Sequence, residues 1–205
     1  LRDINPDIFI MLRLFAKFDT HGHDPASFLA RVLARAINFY DRGIRYMEIH
    51  NEPNLTIEGQ GKNWRNGTEF AYWFLEVAQG LRKAMPEIQI GFPGLSPGPS
   101  FDKRYEGYQF YQEAEVAINA SDWIGCHCYW ISDTDMVQPT GGLVYEEFRR
   151  RYPEKLLFIT EFSNPYSEVS ARDKGQQYVD YYRRLRNVKG IGAAFSFVLS
   201  ASSNF

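Results

Sequence analysis

The sequence predicts an α/β fold in which parallel strands curl into a barrel. Strand-like and helix-like segments alternate along the whole chain, with about six strands, and this order favours a parallel sheet covered by helices. Two of the strands, at residues 46–52 and 156–162, carry a glutamate at or near their end, and Pro53 prevents the first from continuing. Glu52 and Glu161 are therefore expected at the carboxyl ends of their strands, where α/β folds carry their chemistry.

The polarity of one strand face favours a barrel over an open sheet. Glu48, His50 and Glu52 alternate with Met47 and Ile49, so the three polar side chains are expected to point the same way. An open sheet packed under apolar helices on both sides would bury that polar face at a high cost. Inside a barrel, a polar face near the mouth is tolerated.

The strands are marked by apolar runs between turn residues. The first run, residues 7–15, follows Asn5-Pro6 and contains Arg13, which is expected to pair with Glu48 inside the barrel. The remaining strands are predicted at residues 46–52, 88–92, 122–129, 156–162 and 192–198.

Helix boundaries follow from proline, glycine and the spacing of apolar residues. Pro25 opens the first helix, whose apolar residues recur every three or four positions, and Gly43 follows its end. Gly67 and Thr68 lead the second helix, and Pro86 stops it. Helices are predicted at residues 25–40, 67–85, 105–119, 143–152 and 170–187.

The two cysteines, Cys126 and Cys128, are expected to be buried, inert thiols rather than metal ligands. Cys-x-Cys on a strand puts both thiols on one face, interpreted as the outward face, with His127 and Tyr129 facing inward. No second cysteine pair is available to complete a metal site.

Length and composition predict one domain, a single partial barrel over residues 1–205. The 205 residues carry a net charge of −2 and no basic run, so nucleic acid is not a predicted partner. No apolar run is long enough to cross a membrane and no signal peptide is visible, but the chain starts at Leu1, which leaves the localisation open. No cofactor is predicted, and His21 and His23 in one loop are expected to be solvated rather than to bind a metal.

Two carboxylates at the ends of two buried strands are the groups that a retaining glycosidase needs. Aromatic residues near them are candidates for stacking on a sugar ring. Trp130 directly follows Tyr129 at a strand end, and Trp64 lies in the polar loop after Glu52. Core packing is the alternative for both tryptophans.

Two motifs resemble the fourth- and seventh-strand motifs of the clan A glycoside hydrolases, which are retaining enzymes on a (β/α)8 TIM barrel. The motifs are Ile49-His50-Asn51-Glu52-Pro53-Asn54 and Ile159-Thr160-Glu161-Phe162. The resemblance implies that Glu52 is the general acid/base and that Glu161 is the nucleophile. It also implies that Asn51 contacts the 2-hydroxyl of the sugar.

The run His127-Cys128-Tyr129 resembles the sixth-strand motif of the same clan. An aromatic residue there hydrogen-bonds the nucleophile, and the resemblance gives this role to Tyr129. His127 is either a structural histidine bonded to the backbone or a substrate contact. His50 is expected to pack at the barrel mouth and to touch sugar.

The sequence departs from the clan pattern in ways that indicate an incomplete barrel. With Glu52 on strand four, the chain contains strands three to eight, and the clan's strand-two arginine is missing unless Arg13 substitutes for it. Phe195 and Phe197 occupy the strand-eight run, where the clan frequently has a tryptophan. Six of eight strands leave two open edges, so we expect a fragment of a longer barrel, with the missing strands from a longer parent chain or another chain; a naturally shortened barrel is the alternative.

The leading functional hypothesis is a retaining O-glycoside hydrolase that cleaves β-linked oligo- or polysaccharides by double displacement. The alternatives are a catalytically silent carbohydrate-binding barrel and a metal-dependent hydrolase that uses the histidines. Hydrolysis of aryl β-glycosides discriminates the first two, and loss of activity with a chelator would favour the third. The particular glycan, and endo or exo action, do not follow from the sequence.

Overall fold

The computed structural model describes residue 5 and residues 7–17, 24–98 and 102–197 of the chain. His21 and His23 lie outside these residues. The strands are β1 (Met11–Leu14), β2 (Tyr46–Ile49), β3 (Gln89–Phe92), β4 (Trp123–Tyr129), β5 (Leu156–Ser163) and β6 (Ile191–Ser196). The α-helices are α1 (Pro25–Tyr40), α2 (Gly67–Ala84), α3 (Gly107–Glu113), α4 (Glu115–Ala120), α5 (Tyr145–Arg151) and α6 (Ala171–Leu185).

The six strands form one parallel sheet in the order of the chain, from β1 to β6. The sheet curls into an incomplete, TIM-barrel-like half-barrel, with helices between successive strands. Within the part of the chain that is described, β1 and β6 are not paired with each other. The predicted α/β fold and its approximate number of strands are confirmed, and among the described residues the sheet has two open edges.

Capping side chains set the starts of the longer helices. Asp24 accepts a hydrogen bond from the Ser27 amide, and Pro25 occupies the first helical position of α1. Asn66 caps α2 and Ser170 caps α6 in the same way. None of the helices in the described residues is long and apolar enough to cross a membrane.

The single helix predicted at residues 105–119 is instead two helices, α3 and α4. The chain leaves helical geometry at Ala114, where φ is −87° and ψ is 11°. The end of α3 packs closely on the start of α2, where the Gly67 amide donates to Glu113 at 2.9 Å. A Cβ on Gly67 would lie 2.1 Å from the Phe110 carbonyl oxygen, so only glycine permits this approach.

Aromatic rings fill the half-barrel at the amino ends of its strands. The ring of Phe9, just before β1, stacks on Phe158 with centroids 5.5 Å apart and meets Tyr46 edge-on at 5.1 Å. Trp123 packs edge-on against Phe158 at 4.9 Å. These rings occupy the interior at one end, which leaves the carboxyl ends of the strands for polar side chains.

The outward face of β4 carries the two cysteines, as predicted. Cys126 and Cys128 are both buried and free. Burial raises the pKa of the Cys128 thiol, which lies beside Tyr181 of α6, to about 12. This thiol is therefore protonated and inert at neutral pH.

The predicted polar face of the strand at residues 46–52 is interrupted at His50. β2 ends at Ile49, and His50 and Glu52 have positive φ values of 74° and 36°. Side chains alternate only while the backbone is extended, so the left-handed residue turns the His50 ring towards the helices. The ring is fully buried there against Phe28 and Trp73. The prediction that His50 shares the inward face and touches sugar is wrong.

Candidate active site

Glu52 and Glu161 meet at the carboxyl ends of the strands. A carboxylate oxygen of Glu52 lies within 4.8 Å of one of Glu161. Glu52 follows β2 in a turn, whereas Glu161 lies in β5 itself. Both line a cleft of about 620 Å³, to which Arg13, Asn51 and Tyr129 also contribute.

A bulge in β5 turns Glu161 towards the interior. Phe158 faces the interior, so simple alternation would point Glu161 towards the helices. The register between β4 and β5 shifts after Cys126 and pairs His127 with Glu161, which leaves Thr160 as the extra residue. Glu161 and His127 therefore lie side by side on the inward face.

Arg13 of β1 connects three side chains of the site. It pairs in register with Glu48, and its Nε lies 2.6 Å from Glu48 Oε2, as predicted. Its Nη1 donates to Glu161 Oε1, and its Nη2 lies 3.2 Å from His127 Nε2. Burial lowers the pKa of Arg13, but Glu48 and Glu161 raise it above its ordinary value. A charged guanidinium thus lies beside Glu161.

Both oxygens of Glu161 accept hydrogen bonds. Arg13 donates to Oε1, and the Tyr129 hydroxyl donates to Oε2 at 2.5 Å. Burial alone raises the pKa of Glu161, but the charge of Arg13 and the hydrogen bonds from Tyr129 and Arg13 hold it below its ordinary value. Burial and the charge of Glu161 raise the pKa of Tyr129, which remains a donor. Glu161 is therefore an ionised carboxylate at neutral pH.

His127 lies between the two carboxylates and bonds to side chains rather than to the backbone. Its Nδ1 lies 2.8 Å from Glu52 Oε1 and 3.6 Å from Glu161 Oε2. Because arginine has only donors, Nε2 accepts from Arg13, so the ring proton is on Nδ1 and is donated to Glu52. The ring packs on Gly94, where a Cβ would lie 2.1 Å from it. His127 is fully buried behind the cleft wall, and it orients the site through these side-chain contacts.

Hydrogen bonds to neighbouring loops hold the turn that carries Glu52. Trp64 Nε1 donates to the Pro53 carbonyl at 2.7 Å. The buried Asn54 side chain donates to the Ser96 carbonyl at 2.9 Å and accepts from the Ser96 amide at the same distance. Asn54 belongs to the sequence motif that contains Glu52, and asparagine in a turn is a common signal for such backbone bonds.

Glu58 is a site residue that the sequence analysis missed. It ends the 3-10 helix Thr56–Glu58, lines the cleft, and accepts from Asn51 Nδ2 at 3.3 Å. Burial raises the pKa of Glu58, as do the charges of Glu52 and Glu161, while the bond from Asn51 lowers it; the net shift is upward. This short helix lies in the connection after β2 and has no strand-end signal in the sequence, so the closeness of Glu58 to Glu52 in the chain is the only clue that it belongs here.

The stacking predicted for Trp130 and Trp64 is wrong, because both rings are buried. Trp130 is 2% exposed; its ring stacks on Phe162 and its Nε1 donates to Gln177. Trp64 is 1% exposed and packs against Trp73 behind the Glu52 turn. Core packing, the alternative for both tryptophans, holds.

Two phenylalanines supply the aromatic surface of the cleft instead. Phe15 directly follows β1 and Phe197 directly follows β6, and both line the cleft. Phe15 is 42% exposed. Each is an aromatic residue directly after the carboxyl end of a strand, and this position in the sequence is the signal that would have identified them.

Glu52, His127 and Glu161 also offer ligand atoms within 4.8 Å of one another, a spacing that suits a metal ion. Their bonding argues against that use. Both oxygens of Glu161 are already engaged by Arg13 and Tyr129, and Nδ1 of His127 carries a proton. The group is organised around the charge of Arg13.

No protein-family model and no curated protein sequence matches this chain. Solved structures do match it. The fold is similar to that of GH128 β-1,3-glucanases. A subgroup II endo-β-1,3-glucanase from Sorangium cellulosum has a TM-score of 0.61 at 19% sequence identity and covers 82% of this chain. A subgroup IV endo-β-1,3-glucanase from Lentinula edodes has a TM-score of 0.61 at 16% identity and covers 93%.

A third similar structure is a subgroup I endo-β-1,3-glucanase from Amycolatopsis mediterranei in complex with laminaritriose. Its TM-score is 0.59 at 16% identity, and it covers 93% of this chain. The present chain spans 65% of the Sorangium protein, 65% of the Lentinula protein and 71% of the Amycolatopsis protein. At these identities the likeness is one of fold.

Proposed function

We propose that this protein is a retaining glycoside hydrolase that cleaves β-linked glucans by double displacement. The pair of carboxylates carries the proposal: an oxygen of Glu52 and one of Glu161 lie within 4.8 Å in a polar cleft. Retaining enzymes hold their carboxyl groups about 5–5.5 Å apart, whereas inverting enzymes need roughly 6.5–9.5 Å to admit a water. The lowered pKa of Glu161 suits a nucleophile.

In the first step, Glu161 attacks the anomeric carbon while Glu52 gives its proton to the leaving glycosidic oxygen. The product is an ester between the sugar and Glu161. His127 donates to Oε1 of Glu52, so the transferred proton is carried by Oε2. The resemblance of its motif to the clan A strand-four motif gives Asn51 the role of binding the sugar 2-hydroxyl. This contact strengthens as positive charge develops on the sugar.

In the second step, Glu52 takes a proton from water, and the water oxygen attacks the same carbon from the opposite side of the ester. Glu161 leaves as a carboxylate, and the sugar keeps its original configuration. Arg13 and Tyr129, which hydrogen-bond the free carboxylate, stabilise this leaving group.

Fold similarity favours a β-1,3-linked glucan as the substrate to test first. The three similar proteins are β-1,3-glucanases, and one of them holds laminaritriose. The exposed ring of Phe15 at the cleft is suited to contact a sugar face. We therefore propose laminari-oligosaccharides as the substrate class.

Azide rescue tests the two glutamate roles separately on an aryl β-glucoside with a good leaving group. In Glu52→Ala the first step survives because the leaving group needs little protonation, and the second stalls without a base. Azide then attacks the glycosyl-enzyme and releases a β-glucosyl azide. In Glu161→Ala no ester forms, so azide enters from the opposite face and gives the α-azide. The same anomer from both variants would contradict the assignment.

The two alternative functions predict different experimental results. A catalytically silent carbohydrate-binding barrel binds laminari-oligosaccharides in calorimetry but releases no aryl group in any form. A metal-dependent hydrolase loses activity on treatment with EDTA, whereas the proposed mechanism does not.

A further inference from the structure

The cleft contains a third carboxylate that the two-glutamate mechanism does not use. Glu58 lines the same cleft as Glu52 and Glu161. It is half-buried, and the charges of both glutamates act on it. A third carboxylate beside two others is electrostatically unfavourable, so its presence calls for a role in the site.

Glu58 determines which way the Asn51 amide points. Asn51 Nδ2 donates to Glu58 Oε1 at 3.3 Å. An ionised carboxylate only accepts hydrogen bonds, so the NH2 end of the amide must face it. Asn51 Oδ1 is buried without a hydrogen-bond partner among the described residues, so it adds no bond that would fix the amide. One amide hydrogen is held by Glu58, and the second remains for a substrate hydroxyl.

The backbone around Glu58 is held in place by a hydrogen bond and by close packing. The Glu58 amide donates to the Leu55 carbonyl at 3.0 Å, and Gly59 follows with a φ of 116°. A Cβ on Gly59 would lie 3.0 Å from the Trp64 ring, which itself is bonded to Pro53. The short helix that ends at Glu58 is thus packed on the same tryptophan that supports the Glu52 turn.

We propose that Glu58 is a positioning residue for Asn51: it holds the amide so that a free N–H faces the 2-hydroxyl of the substrate. This inference rests on the proposed glycosidase function. The charges of Glu52, Arg13 and Glu161 act on Glu58, and Arg104 also lines the same cleft. Because Glu58 acts through Asn51, its effect depends on the presence of the 2-hydroxyl.

The test compares an aryl β-glucoside with its 2-deoxy counterpart in wild type, Glu58→Ala and Glu58→Gln. Glu58→Ala is expected to lower kcat/KM on the parent substrate about tenfold, mainly through kcat, which is the scale of one transition-state hydrogen bond. Glu58→Gln, which keeps an acceptor oxygen, is expected to recover part of this loss. On the 2-deoxy substrate, both variants are expected to match wild type within about twofold.

The controls separate positioning from folding. Glu76 is exposed on α2, away from the cleft, so Glu76→Ala and Glu76→Gln are expected to leave both substrates unaffected. Adding Glu58→Ala to Asn51→Ala is expected to cause no further loss on the parent substrate, because the two residues act as one unit.

The outcomes distinguish this inference from the proposed function. An equal loss on parent and 2-deoxy substrates, from a general structural effect or from a direct bond to another hydroxyl, would overturn the role of Glu58 alone. Additive losses in the double variant would do the same. Wild type that hydrolyses neither substrate would overturn the proposed function and, with it, this inference.

Discussion

At the scale of single residues, the site is defined by how each carboxylate is bonded. Glu161 has a donor on each oxygen, from Arg13 and from Tyr129, and its pKa lies below the ordinary value. Glu58 has one weak amide donor, and its pKa is raised. The pKa values of these two carboxylates are thus shifted in opposite directions by their neighbours.

The pH dependence of activity tests the bond from Tyr129. Glu161 must be ionised to attack the sugar. Because its pKa is lowered from the ordinary value of 4.5, the acid limb of kcat/KM is expected below pH 4.5. Tyr129→Phe removes a donor that lowers the pKa of Glu161, so the limb is expected to move to higher pH.

Tyr182→Phe is the matched control for this prediction. The Tyr182 hydroxyl donates to the Ala194 carbonyl on the outside of the half-barrel, and the residue is 41% exposed. Its pH profile is expected to coincide with that of wild type. An acid limb of Tyr129→Phe at or below the wild-type value would show that the bond does not act on Glu161.

At the scale of secondary-structure elements, small departures from regular geometry place the functional side chains. The bulge at Thr160 turns Glu161 inward, and the left-handed turn after β2 brings Glu52 to the mouth while His50 goes to the helix side. Glycines then make room: a Cβ on Gly125 of β4 would lie 2.5 Å from Glu48 Oε1. Each of these features is local in the chain, but its effect on the site depends on the neighbouring strand.

A pair of glycine substitutions tests the close packing inside the half-barrel. Gly125→Ala forces its methyl group onto Glu48, which Arg13 also binds, and is expected to lower the free energy of unfolding by about 1–3 kcal/mol. Gly175→Ala, inside α6 with no atom within 4 Å of the added Cβ, is expected to raise it by about 0.5–1 kcal/mol. Urea unfolding measures both, and equal effects would contradict the packing argument.

At the scale of the whole molecule, the open edges are the main feature. β1 and β6 end the sheet of the described residues, and Phe9 and Phe15, which flank β1, are each 42% exposed. Unpaired edge strands readily accept a further strand. We propose that further βα units, from a longer parent chain or another chain, cover these edges.

Hydrogen exchange tests whether the edge of this chain is free. In the isolated chain, amides of β1 are expected to exchange faster than those of β4, which is paired on both sides. Size-exclusion chromatography with light scattering determines the oligomeric state in the same buffer. A monomer in which β1 is as protected as β4 would show that the edge is already covered.

Local patterns were sufficient to predict much of this protein. Periods of two and 3.6 residues are properties of the chain itself, so they predicted the order of strands and helices. Parity along β2 and β4 correctly placed Glu48, and His127 and Tyr129, on the inward face, where Arg13 pairs with Glu48 as predicted. Motif resemblance predicted that Glu52 and Glu161 lie together; their catalytic roles remain predictions.

Other features depended on tertiary structure because they involve elements distant in the chain. His50 faces the helices because positive φ ends the alternation, which no residue type there signals. Whether Trp64 and Trp130 are buried depends on what packs over them, such as Trp73 and Phe162. Glu58 joins the site only because the loop after β2 folds back over the cleft. The sequence by itself determined the order of strands and helices, because local periodicity is a property of the chain; the packing of those elements decided where some of them end and which side chains reach the cleft.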